Sequence, residues 1–198
     1  NGVPVSLRLP GRHNAANALA ALAACEAAGI PLEEGARHLR AFEGLRRRLE
    51  VAGSAAGVTV IDDFGHNPDK IGATLDTLHA FPGRLLVFFQ PHGYGPLRLM
   101  GKDLARTFRD RLKPGDRLLV CDPAYFGGTV DRSVGSAELV AATGKAAAYI
   151  PGRIQCGEWL VREAEAGDRI VIMGARDDSL SLFAREILAA IHRRGLGE

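Results

Sequence analysis

The sequence predicts an α/β fold: a Rossmann-like, doubly wound, mostly parallel sheet with helices on both faces, preceded by a short helical segment. Three observations carry this expectation. Short, mostly apolar runs recur at 58–61, where β-branched residues dominate, and at 85–89, 117–121, 147–150 and 169–173, the composition of strands covered on both faces. Stretches with apolar residues at helical spacing lie between them. Strands alternating with amphipathic helices assemble into a parallel sheet through right-handed crossovers.

From the N-terminus, Val3, Val5, Leu7 and Leu9 alternate with other residues at the period of a half-buried strand, which Pro10-Gly11 ends. Residues 12–28 read as an alanine-rich helix with Gly29 as its stop. Its small residues on nearly every side imply close packing against neighbours. A second helix is expected over 32–42. The segment Gly44-Leu-Arg-Arg-Arg-Leu-Glu50 reads as a linker, so a domain boundary is expected at 44, giving domains 1–44 and 45–198. A strand over 49–52 is expected to turn through Gly53-Ser54 and pair with 58–61 as a hairpin. Asn67 can cap a helix over 68–80, and Pro68 fits its first turn, where a missing N–H costs nothing. Further helices are expected over 100–112, 136–142 (with Ser136 as N-cap), 154–166 and 178–193.

Composition narrows the function. Apolar residues make up 46% of the 198, ordinary for a globular protein. No apolar run approaches the roughly 18 residues of a membrane span, and no signal peptide is read, so neither a membrane nor export is expected. The formal net charge of +2 argues against nucleic acid. The triplet Arg46-Arg47-Arg48 has no accompanying basic stripe with aromatics. Cys25, Cys121 and Cys156 are odd in number and far apart, which suits buried thiols in a reducing cytoplasm. The chain opens on Asn1 rather than methionine, and is expected to be a fragment of a longer protein.

In an open α/β sheet, ligands bind beyond the C-terminal ends of the strands. Four such ends carry polar or glycine-rich sequence: Asp62-Asp63-Phe64-Gly65-His66, Gln90-Pro91-His92-Gly93-Tyr94-Gly95-Pro96, Asp122-Pro123-Ala124-Tyr125-Phe126-Gly127-Gly128, and Gly174-Ala175-Arg176-Asp177-Asp178. Their convergence on one edge would form a shared crevice. The simpler alternative is that Asp62 and Asp63 only cap and solvate a turn. His66, His92 and Asp63 could meet on a metal, although loop histidines are more often hydrogen-bonded or solvated, and no metal is expected. The chain has no Gly-x-x-x-x-Gly-Lys-Ser/Thr loop, no Gly-x-Gly-x-x-Gly after a strand and no Gly-x-Ser-x-Gly elbow. A Walker-type phosphate cradle, a self-contained dinucleotide site and a serine nucleophile are therefore not expected within it.

Several motifs together resemble the Mur ligases. Gly11-Arg-His-Asn-Ala-Ala-Asn-Ala-Leu-Ala-Ala-Leu22 is similar to the helix late in that family's central ATPase domain. Phe42-Glu-Gly-Leu-Arg-Arg-Arg-Leu-Glu50 resembles the junction into its C-terminal domain. Asp62-Asp-Phe-Gly-His-Asn-Pro68, Phe89-Gln-Pro-His92 and Met173-Gly-Ala175 follow in the family's order. The resemblance implies that residues 1–44 end the ATPase domain and that residues 45–198 form the C-terminal Rossmann-like domain, a lid over the nucleotide. It also implies a reaction in which ATP and Mg²⁺ activate a carboxylate as an acyl phosphate that an amine then attacks. The substrates would be a UDP-sugar carboxylate and an amino acid, and the chain's partners the remaining ligase domains.

By the same resemblance, Asn14 and Asn17 would hydrogen-bond adenine, whose edge matches an amide's donor and acceptor. Arg48 and Asp63 would hold ribose or phosphates, Phe64 would replace a base-stacking tyrosine, and His66, His92 and Arg98 would face the substrates. Without the upstream P-loop and Mg²⁺ carboxylates the fragment is expected to be inactive alone, with no catalytic residue of its own. The chain departs from the family pattern at Gly93 and Pro96, where arginines stand, and at Asn67 and Asp69-Lys70. Two alternatives follow: a ligase of the same mechanism with another substrate, and a nucleotide- or sugar-binding module without catalysis.

Overall fold

The computed structural model describes residues 2–125, 127, 129 and 131–196. Asn1, and Phe126 and Gly128 of the third expected loop, lie outside the described residues. The chain divides into two compact units, Asn1–Leu45 and Arg46–Glu198.

The first unit holds α1 (Arg12–Ala27) and α2 (Leu32–Ala41). α1 ends as Gly29 predicts: Gly29 adopts φ 82, and the N–H groups of Ile30 and Gly29 donate to the carbonyls of Cys25 and Glu26 at 2.9 and 3.0 Å. These are the paired bonds of a Schellman motif. Within the unit α1 buries only Ala18 and Leu22, and Leu19 is 66% exposed, so the close packing expected on all sides is not seen there. The alternating segment 3–9 also differs from expectation. Among the described residues it joins no sheet, and Val5 is exposed. Alternation makes a strand only where another backbone accepts the ladder of hydrogen bonds.

The second unit is a six-stranded sheet: β1 (Glu50–Ala55), β2 (Val58–Asp63), β3 (Leu85–Gln90), β4 (Arg117–Val120), β5 (Ala147–Tyr149) and β6 (Arg169–Gly174). The order is β1-β2-β6-β3-β4-β5. β1 runs antiparallel to β2, and every other pairing is parallel. The helices are α3 (Pro68–Leu78), α4 (Tyr94–Arg111), α5 (Ser136–Thr143), α6 (Arg153–Glu163) and α7 (Ser179–Gly195).

Successive strand residues point to opposite faces, and the core divides accordingly. Val60, Phe88 and Ile172 pack with Leu160 of α6 and with Phe183 and Ile187 of α7. Ile61, Phe89 and Met173 pack with Leu75 of α3, Phe108 of α4 and Leu139 of α5. Each such side chain, fully buried, contributes about 1.5–3 kcal/mol. At the opposite end of β6, buried Arg169 donates to the carbonyls of Leu78, Phe81 and Gly83 and so satisfies the end of α3.

Several boundaries differ from the sequence expectation, α6 ending at Glu163 rather than 166 and β1 running to Ala55 rather than 52 among them. The hairpin turns at Ala56-Gly57, with φ 47 and 75, the two-residue type I′ geometry that matches strand twist. A Cβ on Gly57 would come within 2.8 Å of Ala166 Cβ. Gly53 instead sits at a register shift inside β1. α4 begins at Tyr94 rather than 100, because Pro96 falls in a first turn that needs no N–H there. Ser136 is the first residue of α5 rather than its cap, and its hydroxyl donates to Cys121 O at 2.6 Å, while Gly135 N–H donates to Glu138.

Candidate functional site

The strand order sets the C-terminal ends of β2, β6, β3 and β4 side by side, and the loops beyond them are joined. Arg47 Nη2 donates to Gly174 O at 2.9 Å, Gln90 Nε2 to Asp177 at 2.7 Å, and Ala124 N–H to Pro91 O at 2.8 Å. Gly174 has φ 157, and a Cβ there would stand 2.9 Å from Gln90 O and 2.7 Å from Leu180 Cδ1. Only glycine lets the end of β6 come this close to β3.

A cleft of about 420 Å³ opens at this edge, lined by Arg46, Arg47, Arg48, Phe64, Asp178 and Ser181. Arg47 is its anchor. Its side chain is 8% exposed, and Nε reaches Asp62 Oδ1 at 3.4 Å. Its backbone is fixed as well, since Arg47 N–H donates to Glu50 and Arg47 O accepts from Phe64 N–H at 2.7 Å. Arg47 and Leu49 both adopt positive φ, 57 and 51, which turns Arg47 inward and leaves Arg46 and Arg48 exposed. Arg47 Nη1 is buried without a hydrogen bond among the described residues, 3.6 Å from Asp178. The guanidinium carbons of Arg47 and Arg48 lie 5.1 and 5.2 Å from the centre of the Phe64 ring. The result is a half-buried aromatic ring beside three cationic side chains, an arrangement suited to an anion that carries a flat apolar part.

Asp62 and Asp63 lie behind this cleft, both buried. Asp63 accepts from the N–H groups of Leu49 and Gly65, both at 2.9 Å, and from Thr74 Oγ1 at 3.0 Å. Asp62 accepts from Arg47 and, at 2.6 Å, from Ser181 Oγ. The bond to Gly65 has the local turn-stabilising role that the simpler alternative foresaw, but neither carboxylate is solvated. With their oxygens taken by internal donors, the pair does not fit a Mg²⁺ site. No group of three potential ligands gathers for a metal among the described residues.

Next to Phe64 stands a histidine pair. His66 Nδ1 lies 2.9 Å from Phe64 O, and its ring meets Phe64 edge-on at 5.3 Å and His92 at 5.0 Å. Burial, then the charges of His66 and Arg176, lower the pKa of His92 below the usual 6.5. Burial pushes the Asp177 carboxyl up, but hydrogen bonds from Ser179 and Gln90 and the charge of Arg153 outweigh it and hold Asp177 below the usual carboxylate range.

The structure thus brings Arg48, Phe64, His66 and His92 to one edge, with Asp63 as internal support. Arg98 lies further along, on α4, in a surface ion pair with Asp131 at 3.2 Å. Asn14 and Asn17 belong to the first unit, where Asn14 Nδ2 donates to Pro10 O at 2.7 Å and Asn17 is exposed. Sequence reasoning named Arg47 only as part of a basic triplet and Asp177 only as part of the fourth strand end, gave neither a role, and missed Ser181. Nothing in a run of three arginines marks which one turns inward.

Residues 47–176 match the family profile described as "Mur ligase, glutamate ligase domain". A UDP-N-acetylmuramate–L-alanine ligase of Mycolicibacterium vanbaalenii is 37% identical over 198 residues, 96% of this chain and 40% of that protein. The solved UDP-N-acetylmuramate–alanine ligase of Thermotoga maritima superposes with a TM-score of 0.72 at 22% identity, over 98% of this chain and 40% of that one. A murein peptide ligase from Psychrobacter arcticus gives 0.68 at 24%, over 95% and 38%. The chain therefore spans about 40% of the length of the curated relative it matches. Its fold is that of these neighbours, and the matched profile runs from the anchoring Arg47 to Arg176 beside His92; the chain belongs to the Mur ligase family.

Proposed function

We propose that the chain is the C-terminal part of an ATP-dependent carboxylate–amine ligase, with UDP-N-acetylmuramate and L-alanine as its substrates in cytoplasmic peptidoglycan precursor synthesis. In this reading residues 1–44 end the central ATP-binding domain and residues 45–198 are the C-terminal domain. The observation that carries it is the cleft in which Phe64 lies beside Arg47 and Arg48. It suits the polyanionic and aromatic parts of ATP, which supplies the phosphoryl group that activates the carboxylate.

Arg48, exposed beside Phe64, neutralises phosphate charge, and the fixed guanidinium of Arg47 keeps Phe64 in place. Asp63 acts by holding the turn through Leu49, Gly65 and Thr74 rather than by touching the nucleotide. Asn14 and Asn17 would receive adenine, while His66, His92 and Arg98 would face the sugar and amino-acid substrates. The Mg²⁺ carboxylates and P-loop are assigned to the rest of the parent protein. Catalysis in such a site is mainly charge neutralisation and positioning. A second reading, a ligase of the same mechanism acting on another carboxylate, is favoured by Gly93 and Pro96 and by the likeness to a murein peptide ligase.

The test uses the full-length parent, measuring phosphate release that depends on both UDP-N-acetylmuramate and L-alanine. Arg48→Ala should raise the KM for ATP by roughly tenfold or more, the loss of a charge-assisted hydrogen bond, without lowering the melting temperature. An unchanged KM for ATP removes the cleft from nucleotide binding. Phosphate release only with other acid and amine pairs selects the second reading.

A further inference from the structure

The loop after β4 holds a cation in an aromatic seat. The Arg132 guanidinium carbon lies 4.1 Å from the centre of the Tyr125 ring and 5.6 Å from that of Tyr94. The two rings meet edge to face at 6.4 Å. Contact with ring faces restrains a guanidinium and leaves the N–H donors along its edge for another partner. Arg132 is exposed, and among the described residues no carboxylate lies within ion-pair distance of it. The nearest acid in sequence, Asp131, is engaged by Arg98 at 3.2 Å and by Ser133 N–H at 2.9 Å.

The seat belongs to the loops that present His92. Tyr94 opens α4 two residues after His92, and Ala124, next to Tyr125, donates to Pro91 O. Between His92 and Arg98 the sequence Gly-Tyr-Gly-Pro-Leu offers no cation of its own, and Arg98 is already paired. An arginine restrained on Tyr94, two residues after His92 at the strand-end edge of a parallel sheet, and with no acid paired to it among the described residues, is a preorganised fork for a carboxylate or phosphate.

We propose that Arg132 binds an anionic group of one of the two substrates that react at this edge, and so contributes to specificity. This rests on the ligase reading above. The shared chemistry is a carboxylate or phosphate, and its source is either the UDP-sugar or the incoming amino acid.

The test is steady-state kinetics of the full-length parent and its Arg132→Gln and Arg132→Lys variants, with the KM for UDP-N-acetylmuramate, L-alanine and ATP and the melting temperature measured for each. Arg132→Gln should raise the KM of one of the first two by about tenfold or more, leaving the KM for ATP and the melting temperature unchanged. Arg132→Lys, which keeps the charge but not the fork, should fall between. A rise for UDP-N-acetylmuramate assigns Arg132 to the UDP-sugar, and a rise for L-alanine to the amino-acid carboxylate. Unchanged KM values for both overturn the proposal, as does a rise in all three with a lowered melting temperature, the signature of a loop tether. If the wild-type parent joins none of these substrates, the ligase reading has failed. Calorimetric titration with UDP-N-acetylmuramate then decides for Arg132: weaker binding to Arg132→Gln sustains it, while equal binding or none overturns it.

Discussion

Replacing Arg47 with methionine tests the argument that this residue, rather than its two exposed neighbours, anchors the cleft. The side chains of Arg47 and Asp62 are 8% and 3% exposed. Methionine keeps most of the buried stem but leaves the Asp62 carboxylate with Ser181 as its remaining side-chain partner and removes the donor to Gly174 O. Breaking one side of a buried ion pair costs about 3–5 kcal/mol, because the other charge stays buried without compensation. With a urea dependence of about 2 kcal/mol/M, the midpoint should fall by roughly 2 M. Trp159 is the one tryptophan in the sequence; it lies on α6 against the core, so its fluorescence follows the second unit. Asp62→Asn added to Arg47→Met should recover part of the loss, since no lone charge then remains. A loss below about 1 kcal/mol, or two substitutions that simply add, would refute the anchoring role. Arg48→Met, at an exposed site, should change stability by about 0.5 kcal/mol or less.

Two further predictions concern ionisation. His92 should titrate below 6.5 by NMR; its neutral form is favoured in the fold, so the stability it adds is present above pH 6.5 and is lost as the pH falls toward its folded-state midpoint. His66→Ala should move that midpoint upward by removing a nearby positive charge, and a midpoint at or above 6.5 in the wild type would contradict the geometry. Among the thiols, burial pushes Cys156 up to about 12 and Cys121 far above the usual value, whereas Cys25 is half-buried. A thiol reagent at mild alkaline pH should therefore label Cys25 first and the other two only on unfolding, and two rapidly labelled thiols would overturn this.

The runs at 85–89 and 169–173 announced their strands because strands covered on both faces have almost no polar residues. Asn67-Pro68 announced a helix start, and Asn67 does accept from Lys70 N–H at 2.9 Å. What stayed hidden depends on partners distant in the chain. The I′ turn fell at Ala56-Gly57 because packing against Ala166 and the register with β2 outweigh the turn preference of Gly53-Ser54. All three cysteines were expected to be buried, yet Cys25 lies on a helix with an open side. The shared edge was legible from four polar strand ends. The inward turn of Arg47 was not, because it goes with positive φ at Arg47 and Leu49, two non-glycine residues at which no residue preference signals it.

The position of β6 has a consequence for how the chain is made. It comes last in chain order among the strands of this sheet yet lies between β2 and β3, pairing with a segment 110 residues earlier on one side and with one 84 residues earlier on the other. Before residues 169–174 emerge from the ribosome, β1 and β2 can form one ribbon and β3, β4 and β5 another, with no strand pairing to join them. Ile170 and Ile172 complete one core, Val171 and Met173 the other, so both faces close together. The second unit therefore folds as a late, single event rather than strand by strand. A nascent chain stopped before residue 169 presents two open sheet edges to chaperones and proteases, rather than a slightly shortened domain.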